Sequence, residues 1–299
     1  MASALIAGAT GFVGARLAAS LSDSGIRVRC LVRDSSKADR LEADGLETHL
    51  GDVTDAASLV DAGRDIDVAY YLVHAMAGGG DFAARERQGA SNFARMAGRE
   101  GVGRVVYLGG LGGDGASKHL RSRHETARVL AVEGPPVTYF RAAMVVGAGS
   151  ESYRTMRYLV GRLPVMIAPA WLQTDTQPVG IDAAIEYLRR APDVPESESR
   201  EVQIGGPDVL TYASMLDRMA VAMGKRRRPK IPVPFVTPWL SALWLGLVTP
   251  VDTGVARPLV EGLTTATVVT DPSGAAPFGI SPESFDETLR RALEEEGVG

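Results

Sequence analysis

The residues best suited to chemistry stand at the start of the chain, where the apolar run Ala4-Leu5-Ile6-Ala7 gives way to Gly8-Ala9-Thr10-Gly11-Phe12-Val13-Gly14. Glycines spaced three apart, between a strand-like run and an alanine-rich helical pattern, describe a strand, a tight turn and a helix start. Gly8 falls at the turn, where a side chain would obstruct the reversal. Gly11 falls where the backbone must approach a ligand, and Gly14 where the helix lies against the sheet. A helix N-terminus offers unpaired N–H groups and partial positive charge, which suits phosphate. The ligand expected along residues 8 to 14, with Thr10, Phe12 and Val13 included, is therefore a dinucleotide held by its pyrophosphate.

A second group of residues bears on which dinucleotide. The apolar run Val28 to Val32 ends at Arg33-Asp34, the place where such a sheet meets the adenosine ribose. An acidic residue there binds the 2′-hydroxyl of NAD, whereas a guanidinium fork suits the 2′-phosphate of NADP. Arg33 points to NADP(H), and Asp34 beside it keeps NAD(H) open. The turn Gly51-Asp52-Val53 places Asp52 and Val53 near the adenine. Leu72, Val73 and His74 close another apolar run and fall at the nicotinamide side.

These residues need a scaffold that gathers them on one edge. Apolar runs at Val28–Val32, Glu47–Leu50, Val68–Val73, Arg104–Leu108 and Val137–Arg141 alternate with helical patterns, and Gly25 reads as a C-cap between the first helix and the second strand. Continuous apolar strands between helices predict an α/β fold, a doubly wound parallel sheet covered on both faces. Ligands of such sheets bind beyond the carboxyl ends of the strands, which puts Gly8, Arg33, His74 and Gly109 on one rim. The alternation stops beyond Gly147. We therefore expect a dinucleotide-binding domain over residues 1–147 and a smaller C-terminal substrate lobe over 148–299, with Asp182 and Thr211 capping helices and Met215, Leu216, Met219 and Met223 filling its core.

Composition narrows the function classes. Among 299 residues, 32 Lys and Arg face 36 Asp and Glu, and a net charge of -4 argues against a nucleic-acid partner. The four histidines show no metal-ligand spacing, so no metal is expected. The one cysteine, Cys30, lies in an apolar run and reads as strand core, in keeping with a reducing, cytoplasmic compartment. The basic run Lys225-Arg226-Arg227-Arg228-Pro229-Lys230 precedes an uncharged stretch, Ile231 to Val251, that holds Trp239 and Trp244. Residues 225–251 thus admit a peripheral membrane contact, although prolines 232, 234 and 238 leave too short a helix to cross a bilayer; packing against the second lobe is the preferred reading. The oligomeric state is not legible.

With Gly8-x-x-Gly11-x-x-Gly14, Arg33, Gly51-Asp52-Val53, the glycine-rich loop at Gly109-Gly110 and the Asp182 helix in place, the chain resembles the short-chain dehydrogenase/reductase superfamily, and most closely its atypical, NmrA-like NAD(P)H-binding branch. Tyr71-Leu72-Val73-His74-Ala75-Met76, Arg162-Leu163-Pro164-Val165-Met166 and Gly205-Gly206-Pro207 carry the likeness through most of the chain. The resemblance implies a Rossmann-type fold, a nicotinamide cofactor along the strand ends, and a substrate cleft roofed by the C-terminal lobe. It does not bring the family's Ser and Tyr-x-x-x-Lys apparatus with it. The serine position falls on Gly109 or Gly110, and the helix that should hold tyrosine and lysine reads His119-Leu120-Arg121-Ser122-Arg123. His119 is a competent acid or base and Arg123 a holder of ribose or carboxylate, on one helix face at i, i+4; a solvated first-turn histidine and a surface arginine are the bland alternative. Ser117 and Ser122 are both open as substitute hydroxyls. The implied activity is NADP(H)-dependent reduction of a small carbonyl, enone or quinone-like substrate, and the alternative is a non-catalytic redox sensor or accessory subunit.

Overall fold

The computed structural model describes residues 1–73, 82–112, 117–233 and 263–297, excepting the side chains of Lys118 and His119. Strand β1 (Ser3–Ala7) leads into helix α1 (Phe12–Asp23), and the same alternation continues through β2 (Arg27–Val32), α2 (Ser35–Ala43), β3 (Glu47–Leu50), β4 (Val68–Tyr71), α3 (Phe82–Arg99), β5 (Arg104–Gly110), α4 (Lys118–Glu133) and β6 (Val137–Ala142). Strand β7 (Arg200–Ile204) completes a seven-stranded sheet in the order β7-β6-β5-β4-β1-β2-β3. Every pairing in it is parallel.

Both faces of β1 are covered, which is why its four apolar residues need no alternation with polar ones. Successive side chains point to opposite faces. Ala4 and Ile6 enter a core with Leu17 and Leu21 of α1 and with Ala184 and Leu188 of α6 (Ile181–Arg190). Leu5 and Ala7 enter another with Phe93 and Ala97 of α3 and Leu130 of α4. Cys30 is fully buried in the first core, and burial pushes its thiol up to about 12.

The chain beyond residue 148 serves two places. Helix α6 and strand β7 belong to the Rossmann-type layers, with Val202 and Ile204 in the same core as Ile6. A separate core forms between α5 (Glu151–Arg162), α7 (Tyr212–Ala222) and α8 (Phe285–Glu295), where Met156, Met215, Met219 and Leu289 meet. Thr211 caps α7 by accepting from Ser214 N, as expected. Asp182 does not cap α6: Gly180 holds that position, and the Asp182 carboxylate lies 2.8 Å from Arg291 Nη1. The cap is set by where the backbone leaves extended geometry, two residues before Asp182.

Candidate functional site

Turn geometry explains each of the first three glycines differently. Gly8 has φ +94°, and a β-carbon on it would stand 2.6 Å from the Leu72 carbonyl oxygen, so the β1 turn presses directly on the end of β4. Gly11 N donates to Gly8 O at 3.0 Å and closes the turn. Gly11 is also the N-cap of α1 and forms no side-chain cap bond, so no side chain of the cap seals the helix start, an arrangement that suits an anion. A β-carbon on Gly14 would overlap the Gly8 oxygen and stand 2.8 Å from its carbonyl carbon; Gly14 is what lets α1 sit against the turn.

A cleft of about 840 Å³ runs along the carboxyl ends of β1, β2 and β4 and brings Gly8, Thr10, Gly11, Arg33, Asp52, Val53, Leu72 and Val73 together. Phe12, Val13 and Gly14 lie off its wall. The Phe12 ring instead carries the Arg16 guanidinium at 4.8 Å from its centroid and faces Gly147, while Val13 packs on the first core. His74 lies outside the described residues.

Two cations mark the outer end of the cleft. The Arg33 guanidinium, 78 % exposed, sits 3.6 Å from Asp52. Lys37, on the first turn of α2, lines the same wall. Burial alone would raise the Asp52 carboxyl, but hydrogen bonds from Thr54 N and Oγ1, both at 2.8 Å, and the Arg33 charge outweigh it and hold the group below its usual range. Asp34 is turned into α2 as its N-cap, accepting from Ser36 N at 2.9 Å and Ser36 Oγ at 2.8 Å, and these bonds lower its pKa. Its carboxylate is thereby engaged by the helix it starts. Lys37 was legible from its spacing, four residues past Arg33 with a capping residue between, but the sequence reading did not single it out.

The inner end of the cleft lies beyond the glycine turn, at β4, and is lined by Tyr71, Arg85 and Glu86. Glu86 accepts the hydroxyl of Ser122 from α4. This separates the two serines: Ser122 is buried and joined to the cleft wall, whereas Ser117 is the N-cap of α4. Arg123 lies beside Gly110, whose β-carbon would stand 3.5 Å from Arg123 Cδ and would overlap Leu120 Cδ2. His119 is on the same helix, one turn earlier, with its side chain outside the described residues.

Under Gly109 the tyrosines of three neighbouring strands form a row, Tyr71, Tyr107 and Tyr139, with centroids 6.0 and 5.2 Å apart. Burial raises all three phenols. Tyr139 OH meets His124 Nδ1 at 2.9 Å, and Arg141 Nε donates to Gly110 O at 3.3 Å while its Nη1 pairs with Glu201 on β7. His124, read from sequence as an ordinary helix position, is thus tied to β6. His49 is an edge-strand residue whose Nε2 lies 2.9 Å from Ser58 O. Among the described residues no cluster of His, Cys, Asp and Glu has the makings of a metal site, and no helix is long and apolar enough to cross a membrane.

Comparison with known proteins agrees with this geometry. Residues 8–139 match the family model described as NAD(P)H-binding. No curated protein matches the chain. Among solved structures, the chain is similar to the NADPH-dependent quinone oxidoreductase of Escherichia coli in complex with NADPH, at 20% identity and TM-score 0.75, over 96% of this chain and 98% of that one. It is similar to Citrobacter sp. triphenylmethane reductase complexed with NADP(H), at 15% identity and TM-score 0.77, over 97% and 100%. The UDP-glucose 4-epimerase of Thermotoga maritima aligns at 15% identity and TM-score 0.75, over 99% and 100%. At these identities the likeness establishes the fold. The chain therefore matches, over residues 8–139, the family model described as NAD(P)H-binding, within a Rossmann-type fold that it shares with these solved structures.

Proposed function

We propose that the protein is an NADP(H)-binding oxidoreductase that reduces a small carbonyl, enone or quinone-like acceptor without a Ser-Tyr-Lys triad. The observation that carries this reading is the pairing, in one cleft, of an uncapped helix start at Gly11 with two cations, Arg33 and Lys37, on the far side of β2. A guanidinium and an ammonium beside the adenosine ribose suit a dianionic 2′-phosphate, and one oxygen of the neighbouring Asp34 carboxylate is engaged by Ser36. The bound dinucleotide supplies hydride. This chain's residues hold its phosphates and place the acceptor near α4. The neighbours that act on a quinone and on a triphenylmethane dye support a flat apolar acceptor. We further propose a cytoplasmic setting, a small-molecule substrate and no nucleic-acid partner; a peripheral membrane contact through residues 225–251 is the secondary proposal for that segment.

A second reading, a redox sensor or accessory subunit that binds NADPH without turnover, is favoured by one feature: Leu120 and Tyr139 fill the space where the family's serine would project. Anaerobic incubation with NADPH and a panel of quinones, enones and aldehydes decides between them. Acceptor-dependent loss of absorbance at the reduced nicotinamide band supports the enzyme; tight binding with no loss on any acceptor supports the sensor.

A further inference from the structure

We propose that Asn92 and Gln88 of α3 are positioning residues for the cofactor: by holding the backbone of Val53 and Thr54 they set where the outer wall of the cleft meets the adenosine half of the dinucleotide. The inference rests on the NADP(H) reading and adds to it the helix that shapes the adenosine end.

The turn after β3 supplies that wall. Gly51, Asp52, Val53 and Thr54 all border the cleft, together with Arg33 at the end of β2. Within the turn, Asp52 Oδ1 accepts from Thr54 N and Thr54 Oγ1, both at 2.8 Å, and Ser58 Oγ accepts from Asp52 N at 2.9 Å. The other carboxylate oxygen, Asp52 Oδ2, lies 3.6 Å from Arg33 Nη1. The position of this turn therefore governs where the Arg33 guanidinium is drawn.

Helix α3 grips the turn from outside. Asn92 Nδ2 donates to Val53 O and Gln88 Nε2 donates to Thr54 O, each at 2.9 Å, across 39 and 34 residues of sequence. Residues 88 and 92 are one helical turn apart, so both amides leave α3 on one face and take two successive carbonyls. Gly89 lets the helix come this near: a β-carbon on it would stand 2.9 Å from Val53 Cγ2 and 3.0 Å from the Tyr71 hydroxyl. The peptide unit is planar, so the bond that orients Val53 O also orients the Thr54 N–H, which is the donor to Asp52 Oδ1. A line of contacts thus runs from Asn92 through the 53–54 peptide and Asp52 to Arg33. Other ties of α3, Arg87 with Glu125 and Arg95 with Glu133, reach α4 and do not involve the turn.

The test titrates two probes on the full-length protein: NADPH, and 2′,5′-ADP, which contains only the outer half. Asn92→Leu, which nearly keeps the side-chain volume and removes the donor, is expected to weaken both by the same factor, about three- to tenfold, the loss of one hydrogen bond. Gln88→Met gives a smaller loss of the same kind and, at an exposed position, remains informative where Asn92→Leu fails to fold. Equal factors mark an effect in the half that the probes share, whereas a general loosening of the cleft lowers NADPH affinity more. In an Arg33→Ala background the Asn92→Leu loss shrinks, because the turn then has no guanidinium to place. Arg95→Ala, a surface pair on the same helix, leaves both affinities within about twofold of wild type. Thermal unfolding of each variant shows that the fold is kept. Unchanged affinities in the folded Asn92→Leu and Gln88→Met variants, a loss larger for NADPH than for 2′,5′-ADP, full additivity with Arg33→Ala, or an equal loss from Arg95→Ala overturns the assignment. Wild-type protein that binds neither probe overturns the cofactor reading itself and this assignment with it, an outcome distinct from the others.

Discussion

Gly109 and Tyr139 lie so close that a β-carbon on the glycine would stand 2.8 Å from the ring Cε2 and 2.9 Å from the hydroxyl. Tyr139 is held in place, stacked on Tyr107 at 5.2 Å and bonded to His124. At Gly110 the obstruction is Leu120 Cδ2, the end of a flexible and half-buried side chain. Restoring a serine should therefore cost little at one position and much at the other. Gly109→Ser is expected to destabilise by about 1–3 kcal/mol, the range for overpacking a filled core, and Gly110→Ser by less. Denaturant melts of the two variants compare them directly, and a larger loss for Gly110→Ser contradicts the packing argument.

Cofactor choice follows from Arg33 and Lys37. Each cation should contribute a charge-assisted contact to the 2′-phosphate of roughly 1.5–3 kcal/mol before solvent screening, and the high exposure of Arg33 pushes its share to the low end. Arg33→Ala and Lys37→Ala should each weaken NADPH binding by about tenfold, with NADH binding unchanged. Fluorescence titration of both dinucleotides reads this out. Wild-type protein that binds the two equally would sink the preference for NADP(H).

Helix α4 carries the test of the enzyme reading. If His119 supplies the proton that accompanies hydride transfer, His119→Gln should lower kcat by on the order of a hundredfold, within the about 10²–10⁴ typical of general acid–base groups, and leave NADPH affinity nearly unchanged. Arg123→Ala should instead weaken cofactor or substrate binding. Undiminished turnover in His119→Gln removes this histidine from the chemistry.

Alkaline conditions should expose the cost of burying Cys30. Its thiol ionises near 12 in the folded protein against 9.0 ordinarily, so above pH 9 the unfolded chain loses protons that the folded chain keeps. Stability contributed by the neutral thiol is intact below pH 9 and falls as pH rises toward 12, and Cys30→Ala should flatten that slope. Asp52 works in the opposite direction. Its lowered pKa contributes stability above about 3.8 that is lost as the pH drops through its folded value. At neutral pH, native protein should not react with a thiol reagent until denaturant is added; prompt labelling would show that the strand opens.

The basic run at 225–228 is a solvated edge on the preferred reading. Lys225, Arg226 and Arg227 are exposed, while Arg228 Nε reaches Val160 O on α5 and Lys230 pairs with Asp217 on α7. Residues 234–251, with Trp239 and Trp244, lie outside the described residues. The expected result is no co-sedimentation with anionic vesicles at low or high salt. Salt-sensitive binding lost in an Arg226→Gln, Arg227→Gln, Arg228→Gln variant would establish the peripheral-membrane contact instead.

What the sequence determined by itself was local. The strand, turn and helix around Gly8, Gly11 and Gly14 are constrained over seven consecutive residues, because the backbone clashes that require glycine involve the turn itself and the end of the neighbouring strand. Arg33 at the end of β2, the cap at Thr211 and the buried role of Cys30 followed from residue type and apolar patterning in the same way. Tertiary structure decided what depends on contacts between distant segments. Strand β7 reads Arg-Glu-Val-Gln-Ile, a half-polar pattern with no mark of membership, and it joins the sheet because β6 needs a partner on that edge. Asp182 looked like a cap by residue type, but the path of the backbone put Gly180 there and left its carboxylate to Arg291. Glu86 and Ser122 are 36 residues apart, and Gly109 is 30 residues from the ring that fills its space. Such pairs are chosen by the packing of α3 on α4 and of β5 on β6, which no spacing within either element encodes.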